Sequence, residues 1–276
     1  TLVWIGGLAL GLAALVAAAA LVGALPAPTL DPWAATFLGC LFGLAVWAGF
    51  STLWSVSPDR SWAYTNRILV YAAFALLGVL LSAVLPHARA LAGAAASLLG
   101  LVVGWALLAK CVPALYSDYG RVARLRAPVG YWNELALLCD VAVPLALWLA
   151  SARGRRASLR AAGALLLFGA TVALLLTYSR IGVVLACLAA AAWVVLDRDR
   201  VESLATVALG GGAGAAVFGL ALALPGITKD GRPHPVRVHD GWVLALALAG
   251  VGAVVFVVAL VLARVEHRRP LSPERR

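Results

Sequence analysis

The fold class predicted for this 276-residue chain is all-α, a polytopic transmembrane helical bundle of about nine spans. Three observations predict it. The residues are 63% hydrophobic and 12% charged, whereas ordinary soluble domains are about 45–50% apolar and about 25% charged. Apolar runs of Ala, Leu, Val and Gly recur along the whole chain, many reaching the roughly 17–25 residues that one helix needs to cross a hydrocarbon core about 30 Å thick. No Pro/Ser linker or soluble-length segment interrupts them, so residues 1–264 read as one membrane domain and 265–276 as a basic cytoplasmic tail or truncated loop.

The first run, Val3–Leu25, is too long for a secretory signal and lacks its basic start and small-residue cleavage site, so it reads as a true span. Ala34–Leu53 follows, bracketed by Trp33 and Trp54, rings suited to head-group level. Ile68–Leu85 and Leu91–Leu115 come next. Leu135–Ala150 lies between Trp132 and the neighbourhood of Trp148. The stretch Ala161–Leu196 is one helix or two. As a single helix it would measure about 54 Å at 1.5 Å per residue, far more than one crossing needs. Thr177, Tyr178, Ser179 and Arg180 fall at its centre, which favours a tight hairpin with arms Ala161–Leu176 and Ile181–Leu196, the second carrying Trp193 near its end. Leu204–Leu224 and Trp242–Ala263 complete the set. The chain opens on Thr1 and contains no Met, which reads as a fragment with sequence missing upstream.

Cys40, Cys111, Cys139 and Cys187 lie within or at the ends of apolar runs without metal-ligand spacing, so they are expected to be buried structural thiols. The net charge of +10 is scattered through short loops and forms no block or face. Lipid head groups and orientation signals account for that pattern better than nucleic acid does.

Nine spans sort the loops onto two sides. One side holds ten cations: Arg60, Arg67, Lys110, Arg121, Arg124, Arg126, Arg180, Lys229, Arg232 and Arg237. The other holds twelve: Arg89, Arg153, Arg155, Arg156, Arg160, Arg198, Arg200, Arg264, Arg268, Arg269, Arg275 and Arg276. The positive-inside rule makes the second side cytoplasmic by a margin of two (12 − 10). The loops also differ in kind. Those of the second side are short and plainly basic, such as Arg153-Gly154-Arg155-Arg156. Those of the first mix Arg with Trp, Tyr, Asn, His and acids, the make-up of a binding surface.

Three clusters on that mixed side can carry chemistry. In Tyr119–Glu134, Arg121, Arg124 and Arg126 precede Pro128 and Tyr131-Trp132-Asn133-Glu134. The second is the hairpin tip Thr177-Tyr178-Ser179-Arg180. The third is Pro225–Asp240, with Lys229, Arg232, His234, Arg237, His239 and Asp240. An arginine between two apolar helices is expensive unless it snorkels, pairs or faces a polar cavity. Arg180 therefore either reaches the head groups or grips an anion through its planar fork. The arginines at 121, 124 and 126 divide between the same readings. Asn133 and Glu134 either cap the helix they open or contribute to a site. Asp140, about two turns further in, is expected to face other helices, paired or protonated, with a Lys or Arg of a neighbouring span favoured over a proton relay. His239 with Asp240 either forms a general base with an orienting carboxylate or caps a helix start. There is no metal-ligand cluster, no Gly-rich phosphate loop followed by Lys and no nucleophile elbow.

Tyr131-Trp132-Asn133-Glu134 leading into an apolar helix with Pro144, followed about 45 residues later by Thr177-Tyr178-Ser179-Arg180, resembles the O-antigen ligase and polymerase superfamily. That family typically shows an aromatic-x-Asn motif before a Pro-containing span, then a Ser-Arg-Gly turn. Trp54-Ser55-Val56-Ser57-Pro58-Asp59-Arg60-Ser61-Trp62 looks like the corresponding loop of actinobacterial-type members. The resemblance covers the N-terminal and middle part of the family pattern. It implies transfer of a glycan from an undecaprenyl diphosphate carrier to an acceptor hydroxyl on the extracytoplasmic face of the bacterial cytoplasmic (inner) membrane, without nucleotide or metal cofactor. Arg180 matches the Ser-Arg arginine and Asn133 the motif Asn, while Ile181 stands where the family usually has Gly. The implied substrate-binding set is Arg180, Asn133, Tyr131, Ser179, Arg126, Arg124 and Arg60. His239 is the catalytic candidate within this chain, and the family's large catalytic loop is expected beyond Arg276. Implied partners are membrane lipids, the polyprenyl diphosphate-linked glycan and an acceptor glycan or glycolipid. The rival readings are a transporter or flippase for an anionic lipid or solute, expected to show repeat symmetry and interrupted helices, and a non-catalytic membrane scaffold.

Overall fold

In lipid the backbone must satisfy its own hydrogen bonds, which leaves Ala- and Leu-rich apolar runs the helix as their one open-chain solution. The computed structural model describes residues 2–26, 31–84, 88–115, 122–151, 155–197 and 199–268, and among these no strand occurs. The order is α1 (Leu2–Leu21), α2 (Pro32–Ser51), α3 (Pro58–Val84), α4 (Ala88–Cys111), α5 (Trp132–Ser151), α6 (Ala157–Thr177), α7 (Arg180–Leu196), α8 (Arg200–Thr206), α9 (Gly212–Leu222), α10 (Pro225–Thr228) and α11 (His234–Arg268). A π turn, Val207–Gly211, joins α8 to α9 without breaking the helix.

Each expected apolar run is helical over most of its described residues, yet the crossings do not all stand equally. Among the described residues seven helices are long and apolar enough to cross a membrane, and Leu10–Leu21 within α1 and Arg180–Leu196 are shorter apolar helical stretches. The nine spans expected are thus seven by this measure. α7, with 17 residues, covers about 26 Å and stands at the lower end of the roughly 17–25 residues of one crossing. Several helices also begin earlier than hydropathy predicts. α3 starts at Pro58, a residue preorganised for a first turn, and carries Asp59, Arg60 and Arg67 on polar turns ahead of its apolar part. α11 starts at His234 rather than at Trp242.

The chain divides into two compact units, Thr1–Arg89 and Ala90–Arg276. In the first, α3 packs against both α1 and α2, and Ala13, Leu77 and Leu80 form its small core. Trp33, Trp54 and Trp62 are exposed, as rings at head-group level would be. Arg60 belongs to the first turn of α3 in this unit.

The second unit is organised around α6. Of its best apolar window 67% is buried, against 17% for α11, and α5, α9 and α11 all pack on it. Close approach is bought by glycine, as is usual between membrane helices. A Cβ on Gly163 would lie 2.7 Å from the Ala146 carbonyl oxygen, and one on Gly214 2.7 Å from Thr171 Cβ. A Cβ on Gly241 would run into the Cys111 carbonyl.

The expected break at 177–180 is present. α6 ends at Thr177, Tyr178 takes a left-handed cap conformation with φ 55°, and α7 starts at Arg180. The Thr177 hydroxyl accepts the Ser179 amide at 3.1 Å, and the Ser179 hydroxyl accepts the Gly182 amide at 3.3 Å, capping α7. Beyond the turn α7 packs chiefly on α5 rather than back along α6.

At the opposite end of the unit the basic loops are less uniform than their sequence suggests. Arg160 is buried, donates from Nε to the Ala150 carbonyl at 2.8 Å and pairs with Glu202. It is a packing element, where a plain cytoplasmic anchor was expected. Arg155 stacks its guanidinium 3.5 Å from the Trp148 ring centroid. Arg153, Arg198 and residues 269–276 lie outside the described residues. Cys111 and Cys139 are buried as expected, whereas Cys40 and Cys187 are exposed, on helix faces that the apolar solvent rather than the protein would cover.

Candidate functional site

Lys110 lies in the last turn of α4 and is 7% exposed. An ammonium taken from water needs acceptors. Lys110 finds them in the Val122 and Ala123 carbonyls, the second at 3.1 Å. The next segment is held from two more directions. The Ala123 amide donates to Asp230 Oδ1 at 2.8 Å, and the Leu125 amide donates to the Leu176 carbonyl at 2.9 Å. Leu125 is fully buried between these ties. The chain then turns through a cis Ala127–Pro128 bond and Gly130, whose φ of 94° suits a residue without a side chain, and enters α5 at Trp132.

These ties bring the three polar clusters of the sequence to one end of the second unit. Segment 122–131 bonds to the last turn of α6 through Leu176 and to the loop before α11 through Asp230. Ala136 of α5 also meets the first turn of α7, since a Cβ on Gly182 would lie 2.9 Å from Ala136 Cβ. Ile181, by contrast, is 75% exposed. The close-packed position that demands glycine is therefore 182, which is why Ile is tolerated at 181.

A cleft of about 370 Å³ opens at this end, lined by Ala123, Arg124, Arg126, Trp132 and Asp230. Arg124 lies over the Trp132 indole with its guanidinium carbon 5.0 Å from the ring centroid, a cation–π arrangement that orients the side chain without consuming its charge. Tyr131 packs on the same indole, centroids 4.8 Å apart, and its hydroxyl accepts from Asn133 Nδ2 at 2.9 Å. Two guanidinium groups and an indole against one carboxylate make a net-positive, partly apolar recess. Such a recess suits an anionic group attached to an apolar or sugar moiety.

A second constellation joins α10 to α11. Asp240 is 5% exposed, and its Oδ2 accepts the Gly226 amide at 2.7 Å. Its Oδ1 lies 3.0 Å from His239 Nδ1, and the His239 side chain is 76% exposed. A fixed carboxylate on Nδ1 leaves Nε2 open to solvent, the orientation a general base requires. Neither residue starts α11, which begins at His234; Asp240 instead caps the first turn of α10 through the Gly226 amide.

The sequence-predicted residues fall out as follows. Arg124 and Arg126 line the cleft. Tyr131 packs on its indole wall, and Asn133 donates from Nδ2 to the Tyr131 hydroxyl. Ser179 is committed to capping α7. Arg180 is exposed at the first position of α7 and is not part of the cleft lining. Arg60 belongs to the other unit, and Arg121 lies outside the described residues. Asp140 lacks the favoured Lys or Arg partner, because among the described residues neither carboxylate oxygen has a hydrogen-bond partner, which leaves the protonated alternative. Two residues that anchor the site, Lys110 and Asp230, were not singled out from the sequence. The one signal was a lysine closing an apolar run, which hydropathy treats as a boundary. Burial at the hairpin tip pushes the Tyr178 phenol above its ordinary value, and its ring meets Phe218 edge-on at 5.9 Å.

The fold defines a multi-pass α-helical membrane protein with a basic, aromatic-walled cleft at one end of its larger unit. No family model matches the chain, and no curated protein or solved structure is similar to it.

Proposed function

We propose that the chain belongs to a bacterial cell-envelope glycan ligase or polymerase, which moves a glycan from a polyprenyl diphosphate carrier to an acceptor hydroxyl on the extracytoplasmic face of the cytoplasmic membrane. The observation that carries this reading is the convergence of three polar segments, far apart in sequence, around a cleft holding Arg124, Arg126 and Trp132. In this reading the chain crosses the membrane nine times, α7 included, with the cleft outside. Arg124 and Arg126 hold the diphosphate, whose charge needs planar donors more than point charges. Arg180, at the neighbouring helix start, engages the same head group from the membrane side. His239, oriented by Asp240, accepts the proton of the acceptor hydroxyl as that oxygen attacks the anomeric carbon, and the carrier leaves as its diphosphate.

The transporter reading draws on the π turn Val207–Gly211 within a membrane helix, a feature frequent at functional sites. That helix nevertheless continues to Leu222 without unwound backbone, whereas transporter sites expose broken helix ends. Glycan transfer remains the better-supported reading.

Replacing Arg180 separates binding from anchoring. A snorkelling arginine tolerates Lys, but a bidentate grip on a diphosphate does not. Arg180→Lys in the full-length protein is expected to keep normal abundance while cutting transfer at least about tenfold, or about 1.4 kcal/mol of transition-state stabilisation. Full transfer activity at normal abundance removes Arg180 from the substrate site.

A further inference from the structure

We infer that Asp140 is a proton-binding site within the membrane-spanning part of α5, where it holds one proton as a neutral carboxylic acid. Asp140 lies two turns inside the helix, about 12 Å along the axis from its start at Trp132. The residue is 8% exposed, and both carboxylate oxygens are sealed from solvent, with no hydrogen-bond partner among the described residues.

The helices packed on α5 are α6, α7 and α8, and their charged and titratable groups are engaged elsewhere or exposed. On α6, Arg160 binds the Ala150 carbonyl, ten residues beyond Asp140 along α5, and pairs with Glu202 of α8. Tyr178 closes α6 against Phe218. On α7, Arg180 and Cys187 are exposed. Arg200 of α8 donates to the Val195 carbonyl at 3.2 Å. On α5 itself Glu134 is exposed in the first turn, and Cys139 is a buried thiol that offers no charge.

An ionised carboxylate here would be a bare charge in apolar surroundings, so a cation has to accompany it. A metal ion needs several further ligands, and among the described residues no group of three or more His, Cys, Asp or Glu comes together. A proton needs none. It also changes the chemistry of the group, because a protonated acid is a donor and can reach a backbone carbonyl of the preceding turn as Ser and Thr do in helices. The inference does not depend on the glycan-transfer reading.

Infrared spectra of the full chain in lipid bilayers at neutral pH, wild type minus Asp140→Asn, test this directly. The expected difference is the carbonyl stretch of an un-ionised carboxylic acid, present in wild type and lost in the variant. A carboxylate band in its place overturns the proposal. Should Asp140→Asn fail to fold, wild type minus Asp140→Glu serves instead. The protonated-acid carbonyl is then expected to shift in frequency between the two proteins, and a shift confined to carboxylate bands overturns the proposal equally.

Discussion

The main-chain amide of Ala123 donates to the carboxylate of Asp230 at 2.8 Å, a bond between residues 107 positions apart. Together with the Lys110 contacts to the Val122 and Ala123 carbonyls, it fixes the segment that presents Arg124 and Arg126. Because the bond is exposed, its expected contribution is modest. Asp230→Ala is expected to cost about 1 kcal/mol and to speed amide exchange across residues 122–131 while leaving α6 protected. Unchanged exchange in that segment would mean the tie is not holding the cleft.

Gly182 rather than Ile181 is the packing-critical residue of the turn into α7. A Cβ at 182 meets Ala136 Cβ and Leu174 Cδ1, both at 2.9 Å, whereas Ile181 is 75% exposed. Gly182→Ala is expected to destabilise by about 1–3 kcal/mol through overpacking. Ile181→Ala is expected to stay within about 0.5 kcal/mol. Thermal unfolding of the two variants in the same detergent compares them.

The buried pair of Arg160 and Glu202 has side chains 9% and 8% exposed. Removing one partner strands the other charge, so Glu202→Ala is expected to cost about 3–5 kcal/mol. The double replacement Arg160→Met with Glu202→Leu leaves no orphaned charge and is expected to cost clearly less than the single one. A double-mutant cycle read by thermal unfolding measures the difference.

Sidedness follows from the charge distribution and the nine-crossing reading. Single cysteines at positions 155 and 180, in a background lacking Cys40, Cys111, Cys139 and Cys187, are expected to label from opposite faces of the membrane, with position 155 cytoplasmic. Labelling of both from one face would remove α6 as a single crossing between them.

What the sequence by itself determined is the solvent and the class of fold. A chain 63% hydrophobic built of long apolar runs has to bury its backbone polarity in helices, and that argument needs no tertiary contact. The turn at Thr177–Arg180 was legible for the same reason, since polar residues at the centre of an overlong run mark where the helix must stop. Tertiary structure alone decided how charges were spent. Lys110, Arg160 and Asp240 all sit near the ends of apolar runs in sequence, yet each is buried against partners that arrive from elsewhere in the chain: the 122–123 carbonyls, Glu202, and the Gly226 amide. Asp140 was expected to have such a partner and has none among the described residues. Hydropathy registers what leaves water, residue by residue, whereas the cost of burying a charge is set by which groups the fold brings within about 3 Å of it.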